Sequence, residues 1–322
     1  MNLKGKKVFV AGSSGMAGSA IVRKLREENE AEVIATSRDE VDLLKSSQVD
    51  NLFSLSKPDI VINAAAKVGG ILANRDYPTE FLLENLEIQN NLVKCALAGN
   101  VGCFVFLGSS CIYPKFAKQP IREEYLLEGS LEPTNKAYAL AKIAGLELVD
   151  SIRRQYGRNY FSVMPTNLYG PGDYFHPEKS HVIPSLIRKF VSAKQANSAS
   201  VTVWGTGEPR REFLHVEDCA SAIVHLIKII KLDSFEDRNW MDSHINIGTG
   251  QDITIKEVAN LTAELVGFEG KITFDTSKPD GTPRKLLDTQ RLNTLGWKSS
   301  IELPAGLKST IEWYLDQESV RR

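Results

Sequence analysis

Tyr138 and Lys142 stand four positions apart in Tyr138-Ala-Leu-Ala-Lys142, a spacing that puts two side chains on one face of a helix. A free phenol, with a pKa of about 10, exchanges protons poorly at neutral pH. An ammonium held beside it favours the phenolate. The pair is therefore expected to lower the tyrosine pKa and to serve general acid–base chemistry at a carbonyl or alcohol. Upstream, Gly108-Ser-Ser-Cys-Ile-Tyr-Pro114 offers hydroxyls from Ser109 and Ser110 to orient an oxygen, and a thiol from Cys111. Tyr and Lys fall at this spacing in many helices, so their meaning rests on the elements around them.

Those elements follow a recognisable order. Residues 6–11 read as a buried strand, Gly12-Ser13-Ser14-Gly15-Met16-Ala17-Gly18 as a turn, and residues 19–29 as an amphipathic helix. A strand, a glycine turn and a helix open a dinucleotide-binding fold, with a pyrophosphate against the N–H groups at the helix start. A glycine turn without a ligand is the alternative. The second strand, 32–36, ends in Ser37-Arg38, a cation and hydroxyls where an NAD site carries an acid. Arginine suits a 2′-phosphate, so the cofactor is read as NADP; the alternative is a surface arginine beside Asp39 and Glu40. Asp42 and Leu43 then fall near the adenine. A third strand, 58–63, runs into Ala64 and Ala65, small enough for a cofactor to pass close to the backbone. A long helix over 78–99 and a strand over 101–107 deliver Gly108–Cys111 at a strand's carboxyl end, where open α/β sheets bind ligands. The helix 136–156 carries the Tyr/Lys pair and the strand 160–164 follows it. This rhythm predicts an α/β fold, a Rossmann-type doubly wound parallel sheet.

After residue 165 the chain turns loop-rich, as in Trp204-Gly-Thr-Gly-Glu-Pro209 and Lys278-Pro-Asp-Gly-Thr-Pro283, with helices over 217–230 and 303–317. We expect a Rossmann domain over 1–165, with elements around 213–250 returning to it, and a smaller mixed α/β lobe over 166–322. The net charge of −1 gives no electrostatic case for nucleic acid or an anionic membrane. Four cysteines without a C-x-x-C, and no leader-like start, point to reduced thiols in a cytoplasmic protein. Five scattered histidines give no metal-ligand spacing, and no apolar run reaches the ~20 residues that span a bilayer.

The glycine turn, a serine about thirty residues before Tyr-x-x-x-Lys, and Asn167-Leu-Tyr-Gly-Pro171 together resemble the extended short-chain dehydrogenase/reductases. The resemblance implies that Ser109 and Tyr138 bind the reacting oxygen, and that Lys142 lowers the tyrosine pKa and holds the nicotinamide ribose. Longer stretches, among them residues 64–71, 108–115, 164–171, 180–184, 211–216 and 278–288, resemble a subfamily of GDP-sugar epimerase/reductases. That likeness implies conversion of GDP-4-keto-6-deoxy-D-mannose to GDP-L-fucose, with NADPH/NADP as cofactor and a homodimer as assembly. It implies cofactor contacts from the glycine turn, Arg38, Asp42, Leu43, Ala64, Ala65, Lys142, Pro165, Asn167, Leu168 and His181. Substrate contacts would come from Ser110, Asn167, Lys189, Trp204, Arg211 and Lys285. Cys111 and His181 resemble the subfamily's proton-moving pair for inversion at C3 and C5. The subfamily often has an arginine between the first two glycines; here Ser13 and Ser14 stand there, which leaves Arg38 as the phosphate candidate. A 4,6-dehydratase would need an Asp-Glu pair where this chain has Ser110-Cys111. A 4-epimerase has no use for Cys111 and His181. A non-catalytic dinucleotide sensor would typically lack Tyr138 or Lys142. A relative acting on a 3,6-dideoxy 4-keto sugar stays open.

Overall fold

The computed structural model describes residues 1–177, 180–231, 243–278 and 280–320. In β1 (Lys7–Ala11) Val8 and Val10 join one core cluster and Phe9 and Ala11 another, on opposite faces. A strand covered on both faces reads as a continuous apolar run. The chain continues through α1 (Met16–Glu28), β2 (Glu32–Ala35), α2 (Ser46–Ser56), β3 (Ile60–Asn63), α3 (Ile71–Asp76), α4 (Pro78–Ala98), β4 (Cys103–Leu107), α5 (Lys136–Tyr156) and β5 (Asn159–Pro165). Two expectations need correcting. The first helix starts at Met16 rather than at residue 19, because the glycine turn tightens directly into it: a Cβ on Gly18 would lie 2.0 Å from the Gly12 carbonyl oxygen. The helix α2 was not foreseen; it buries only Val49 and Phe53, too few apolar positions to show a period.

Later segments are β6 (Asn167–Tyr169), α6 (Val182–Gln195), β7 (Ser200–Trp204), β8 (Arg210–Arg211), β9 (Phe213–His215), α7 (Val216–Ile229), β10 (His244–Ile247), β11 (Ile253–Thr254), α8 (Ile255–Val266), β12 (Lys271–Asp275), β13 (Arg284–Lys285), α9 (Gln290–Thr294) and α10 (Leu303–Val320). The main sheet has six parallel strands in the order β10-β5-β4-β3-β1-β2. Because β2 and β3 lie on opposite sides of β1, the strand order reverses there, and the crevice at the carboxyl ends is where such sheets bind ligands. On one face α1 and α7 bury Ile21, Leu25, Ile223 and Leu226 against Val8, Val10, Ile60 and Ile62. On the other, α4 and α5 set Val93 and Val149 against Phe104 and Phe106. A further core joins Phe190 of α6, Val201 and Val203 of β7, Val258 of α8 and Leu307 of α10. Pro279, within the loop expected at 278–283, and residues 232–242 lie outside the described residues. Among the described residues no helix is long and apolar enough to cross a membrane.

The helix α5 is pressed against β4 and α4 with no room for a side chain at Gly145. A Cβ there would lie 2.4 Å from Phe106 Cζ and 2.6 Å from Gln89 Oε1. Gln89 Nε2 also donates to the Ala141 carbonyl at 3.0 Å, tying α4 to α5. We predict that Gly145→Val lowers folding stability by about 1–3 kcal/mol in urea unfolding, the usual cost of overpacking a core. An unchanged midpoint would mean that this contact is not tight.

Candidate active site

The strand β4 ends in Leu107, and the chain then turns so that Ser109 caps a short 3₁₀ turn over Ser110–Ile112. The Ser109 hydroxyl accepts the Cys111 amide hydrogen at 3.2 Å. Ile112 and Tyr113 are buried, and the Tyr113 hydroxyl donates to Asn246 Oδ1 in β10 at 2.6 Å, which anchors the segment to the edge of the sheet. Across from it, Tyr138 and Lys142 lie in the first turns of α5. The Tyr138 phenol is hydrogen-bonded to Ser109 and close enough to feel the charge on Cys111. Ser109, Cys111 and Tyr138 therefore converge. The Phe81 ring of α4 meets the Tyr138 ring edge-on, with centroids 6.3 Å apart.

The electrostatics differ from the expectation for Tyr138. Burial raises its pKa well above that of a free phenol, Cys111 adds to the rise, and the bond to Ser109 opposes it. Lys142 contributes no lowering here, because its Nζ donates to the Leu107 carbonyl at 2.7 Å and sits 4.8 Å from the Phe106 ring centre. Only 3% of Lys142 is exposed, and burial brings its pKa down to about 7. Phe81, Phe106 and the Leu107 carbonyl were missed by sequence reasoning. In the sequence they are ordinary core residues, and only the fold sets them against the pair.

At the crevice the glycine turn is shaped by contact. A Cβ on Gly12, whose φ is +78°, would lie 2.7 Å from the Ala65 backbone. Gly15 caps α1 without any side-chain bond, so the N–H groups of the first turn are left for another acceptor. Ser13 is not free for a ligand: its hydroxyl donates to the Thr36 carbonyl at 2.9 Å, joining the turn to the end of β2. Ser14 and Arg38 are exposed, and Arg38 has no hydrogen bond or ion pair among the described residues. The neighbouring Glu40 is instead bonded to the Ser37 amide and hydroxyl. Asp42 and Leu43 lie in the loop that leads into α2, with Leu43 packed against the core beneath α4 and its carbonyl accepting Asn91 Nδ2 of α4 at 2.9 Å. Pro165 ends β5, and Leu168 packs against the core below α1.

On the other side of the crevice, Asn167 Nδ2 donates to the Glu212 carbonyl at 2.8 Å. Trp204 is 47% exposed, with the Lys189 and Lys278 ammoniums 5.5 and 5.6 Å from its ring centre. Lys278 was not foreseen. Lys285 reaches Cys111, its Nζ 3.8 Å from Sγ. Arg211 is in register with Lys285 on the adjacent strand and feels the charges of Asp280, Cys111 and Glu132. His181 sits at the start of α6 with its surface open to solvent, and its imidazole makes no hydrogen bond among the described residues. The surrounding protein nevertheless lowers its pKa, which favours the neutral ring.

The profile of the NAD dependent epimerase/dehydratase family matches residues 8–248. The chain is 53% identical to the GDP-L-fucose synthase of Escherichia coli (strain K12), covering 97% of this chain and 98% of that one. It is 52% identical to GDP-L-fucose synthase 1 of Arabidopsis thaliana, covering 98% and 95%. Among solved structures it is similar to MlghC, a GDP-mannoheptose C4 reductase from Campylobacter jejuni with NADP bound. That likeness has a TM-score of 0.89 and 37% identity, covering 98% of this chain and 99% of that one.

Burying Lys142 should carry a stability cost with a definite pH window. Its folded pKa of about 7 lies below the ordinary lysine value of 10.5, so the unfolded chain binds more protons between those two values. Stability of the wild type therefore rises with pH through that window, by up to about 1.4 kcal/mol per pH unit from this group. We predict that Lys142→Met is more stable than wild type in the cofactor-free state at pH 6, and that the difference shrinks by pH 9. Urea unfolding at the two pH values reads it directly. A difference independent of pH would contradict the lowered pKa.

Proposed function

The chain belongs to the NAD dependent epimerase/dehydratase family, and we propose that it converts GDP-4-keto-6-deoxy-D-mannose to GDP-L-fucose. The reaction comprises epimerisation at C3 and C5 followed by reduction of the C4 ketone. The observation that carries this reading is the convergence of Ser109, Tyr138 and Cys111, with Lys142 directly behind them. Reduction alone needs the first two and the lysine. A thiol in the same cluster gives proton abstraction next to the ketone a base.

NADPH fits the crevice: Gly12 and Gly18 admit no side chain, the start of α1 lacks a side-chain cap, and Arg38, just past the end of β2, has no ion-pair partner among the described residues. The residues that would hold it are Gly12, Ser14, Gly15, Met16, Gly18, Arg38, Ala64, Ala65, Pro165, Asn167, Leu168 and Lys142, with Asp42 and Leu43 toward the adenine. Ser13 would act by bracing the turn through Thr36. When bound, the cofactor supplies the hydride that reduces C4.

The chain's own residues do the rest. The Ser109 and Tyr138 hydroxyls bind the C4 oxygen and stabilise the negative charge that gathers there when a C3 or C5 proton leaves. Cys111, as thiolate, accepts that proton, and His181 works from the other face of the sugar, returning a proton to the carbon as an imidazolium that solvent, to which it is open, has charged. Tyr138 then donates its phenolic proton to the C4 oxygen as the ketone is reduced. Its raised pKa keeps the proton in place until that moment. Lys142, with a pKa of about 7, replenishes the phenol or stays cationic according to pH. Lys189, Trp204, Arg211 and Lys285 line the side where the nucleotide diphosphate would lie, with Ser110 near the sugar.

Residues 1–165 with the segment around 213–250 would hold the cofactor and residues 166–322 the substrate. A homodimer is supported by the exposed Leu83 and Leu140 on the paired helices α4 and α5. A cytoplasmic setting is supported by the free cysteines.

The purified protein should oxidise NADPH when given GDP-4-keto-6-deoxymannose, read as loss of reduced-nicotinamide absorbance. Turnover of a different nucleotide sugar instead would sink the assignment. In deuterated water, Cys111→Ser should lose label incorporation at C3 or C5 while keeping reduction of the ketone; wild-type labelling would remove Cys111 from the mechanism. Arg38→Ala should raise the KM for NADPH about tenfold or more and leave that for NADH unchanged, as expected for one charge-assisted pair.

A further inference from the structure

Cys111 lines a small cavity together with Lys115, Glu132, Thr282, Arg284 and Lys285, among others. The cavity holds three cations, and two of them are engaged by carboxylates. Lys115 Nζ is 2.9 Å from Glu132 Oε2, and Arg284 is paired with Asp252. Lys285 has no carboxylate within ion-pair distance among the described residues; the side-chain partner of its Nζ is Cys111 Sγ at 3.8 Å. The strand that carries it is held on both sides. Arg210 N donates to the Pro283 carbonyl at 2.9 Å, Glu212 N to the Lys285 carbonyl at 3.3 Å, and Leu286 N to Gln119 Oε1 at 2.9 Å. The ammonium is thus delivered to the sulfur by a fixed backbone.

The geometry points to Lys285 as the residue that positions and ionises Cys111, rather than only one of several contacts to the substrate's phosphates. This deepens the reading of Cys111 as a proton-moving group and rests on it. An ammonium that donates to sulfur favours the thiolate, which is the form that removes a proton. The other charged or titratable groups facing the sulfur are Tyr138 from α5 and Arg211 from β8, the latter shared with Glu132 and Asp280. Lys285 is the one whose bond to the sulfur orients it. A neutral apolar residue at 285 would leave the sulfur without this donor and free to rotate.

The test uses a thiol probe, so it stands apart from turnover. The cofactor-free protein is treated with iodoacetamide near pH 7 and labelling of Cys111 is followed by peptide mass spectrometry. The other three cysteines are buried and serve as internal references. Lys285→Met should slow Cys111 alkylation by about tenfold, and Lys285→Arg, which keeps a charged donor, should return it to within about threefold of wild type. Deuterium incorporation into the sugar should lose kcat in the same order, with a smaller change in KM. If Lys285→Met does not fold by circular dichroism, Lys285→Gln takes its place under the same criterion. Unchanged alkylation in the neutral variant, or a rise in KM with kcat intact, would overturn the proposal. If alkylation slows as expected while no GDP-sugar is turned over, the Lys285 role holds and the substrate reading alone fails.

Discussion

An ammonium sealed inside the protein is an expensive thing to keep, and Lys142 is held by little: one carbonyl, that of Leu107, and the faces of the Phe106 and Tyr138 rings. Everything near it follows from that arrangement. The carbonyl is free to accept because β4 ends there and the chain turns away toward Ser109. The ring is available because Phe106 points to the α4–α5 side of the sheet, and Gly145 lets α5 lie against it. Gln89 and Phe81, both from α4, fix α5 on its other side. The helix that carries Tyr138 and Lys142 is therefore seated by two elements, β4 and α4, and the lysine's discomfort is the price of having it beside that phenol. Burial also separates two groups that in water would titrate close together. It pushes the Tyr138 phenol up and the Lys142 ammonium down, so near neutrality the tyrosine keeps its proton and the lysine can lose one.

Much of this was legible in the sequence, and the parts that were not have a common physical cause. Local signals carried far: the apolar run after Lys6, the glycines from Gly12 to Gly18 and the long helix starting at Lys136 lie where spacing put them. Helix α5 spans the predicted residues because it is long, begins after a proline-initiated turn and ends at Gly157 in the left-handed region. Where signals were short, the reading slipped. The start of α1 was masked by Gly18, a residue that disfavours helices in isolation and is required here by the approach to Gly12. Strand β6 pairs in parallel with β9, a contact across more than forty residues that no local pattern announces. The sequence set Tyr138 and Lys142 on one face of one helix. It could not say that the ammonium would turn to Leu107 instead of the phenol, since that depends on how deeply the helix is buried.

The half of the site that comes from distant segments hangs on another buried charge, Glu212. Its carboxylate accepts the Leu287 amide at 2.9 Å and the Gly250 amide at 2.8 Å, while its carbonyl accepts Asn167 Nδ2 at 2.8 Å. The segments around residues 167, 250 and 287 are thereby fixed to one residue. Burial raises the pKa of this carboxyl, and the amide bonds pull it back. A glutamine would offer one oxygen where two are needed and would add donors facing amide hydrogens. An apolar residue would leave those amides unpaired. A buried acid is thus the side chain that can close this junction.

The junction matters because of what lies within two residues of its bonded positions. Arg211 precedes Glu212, and Lys285 stands two residues before Leu287, so the bonds that hold Glu212 also set the backbone of both cations. The sulfur of Cys111 lies between this fixed cationic rim and the equally fixed phenol of α5. A thiol between rigid groups of opposite tendency, one favouring its anion and the other sensing it as a repulsive charge, has its ionisation tied to theirs. Loss of a proton by Tyr138 would raise the negative charge beside Cys111, and loss of one by Cys111 would hold the proton on Tyr138 more firmly. Coupling of that sign makes the two groups take turns, which is what a site must do if the tyrosine is to keep its proton through the exchange steps and release it only in the reduction.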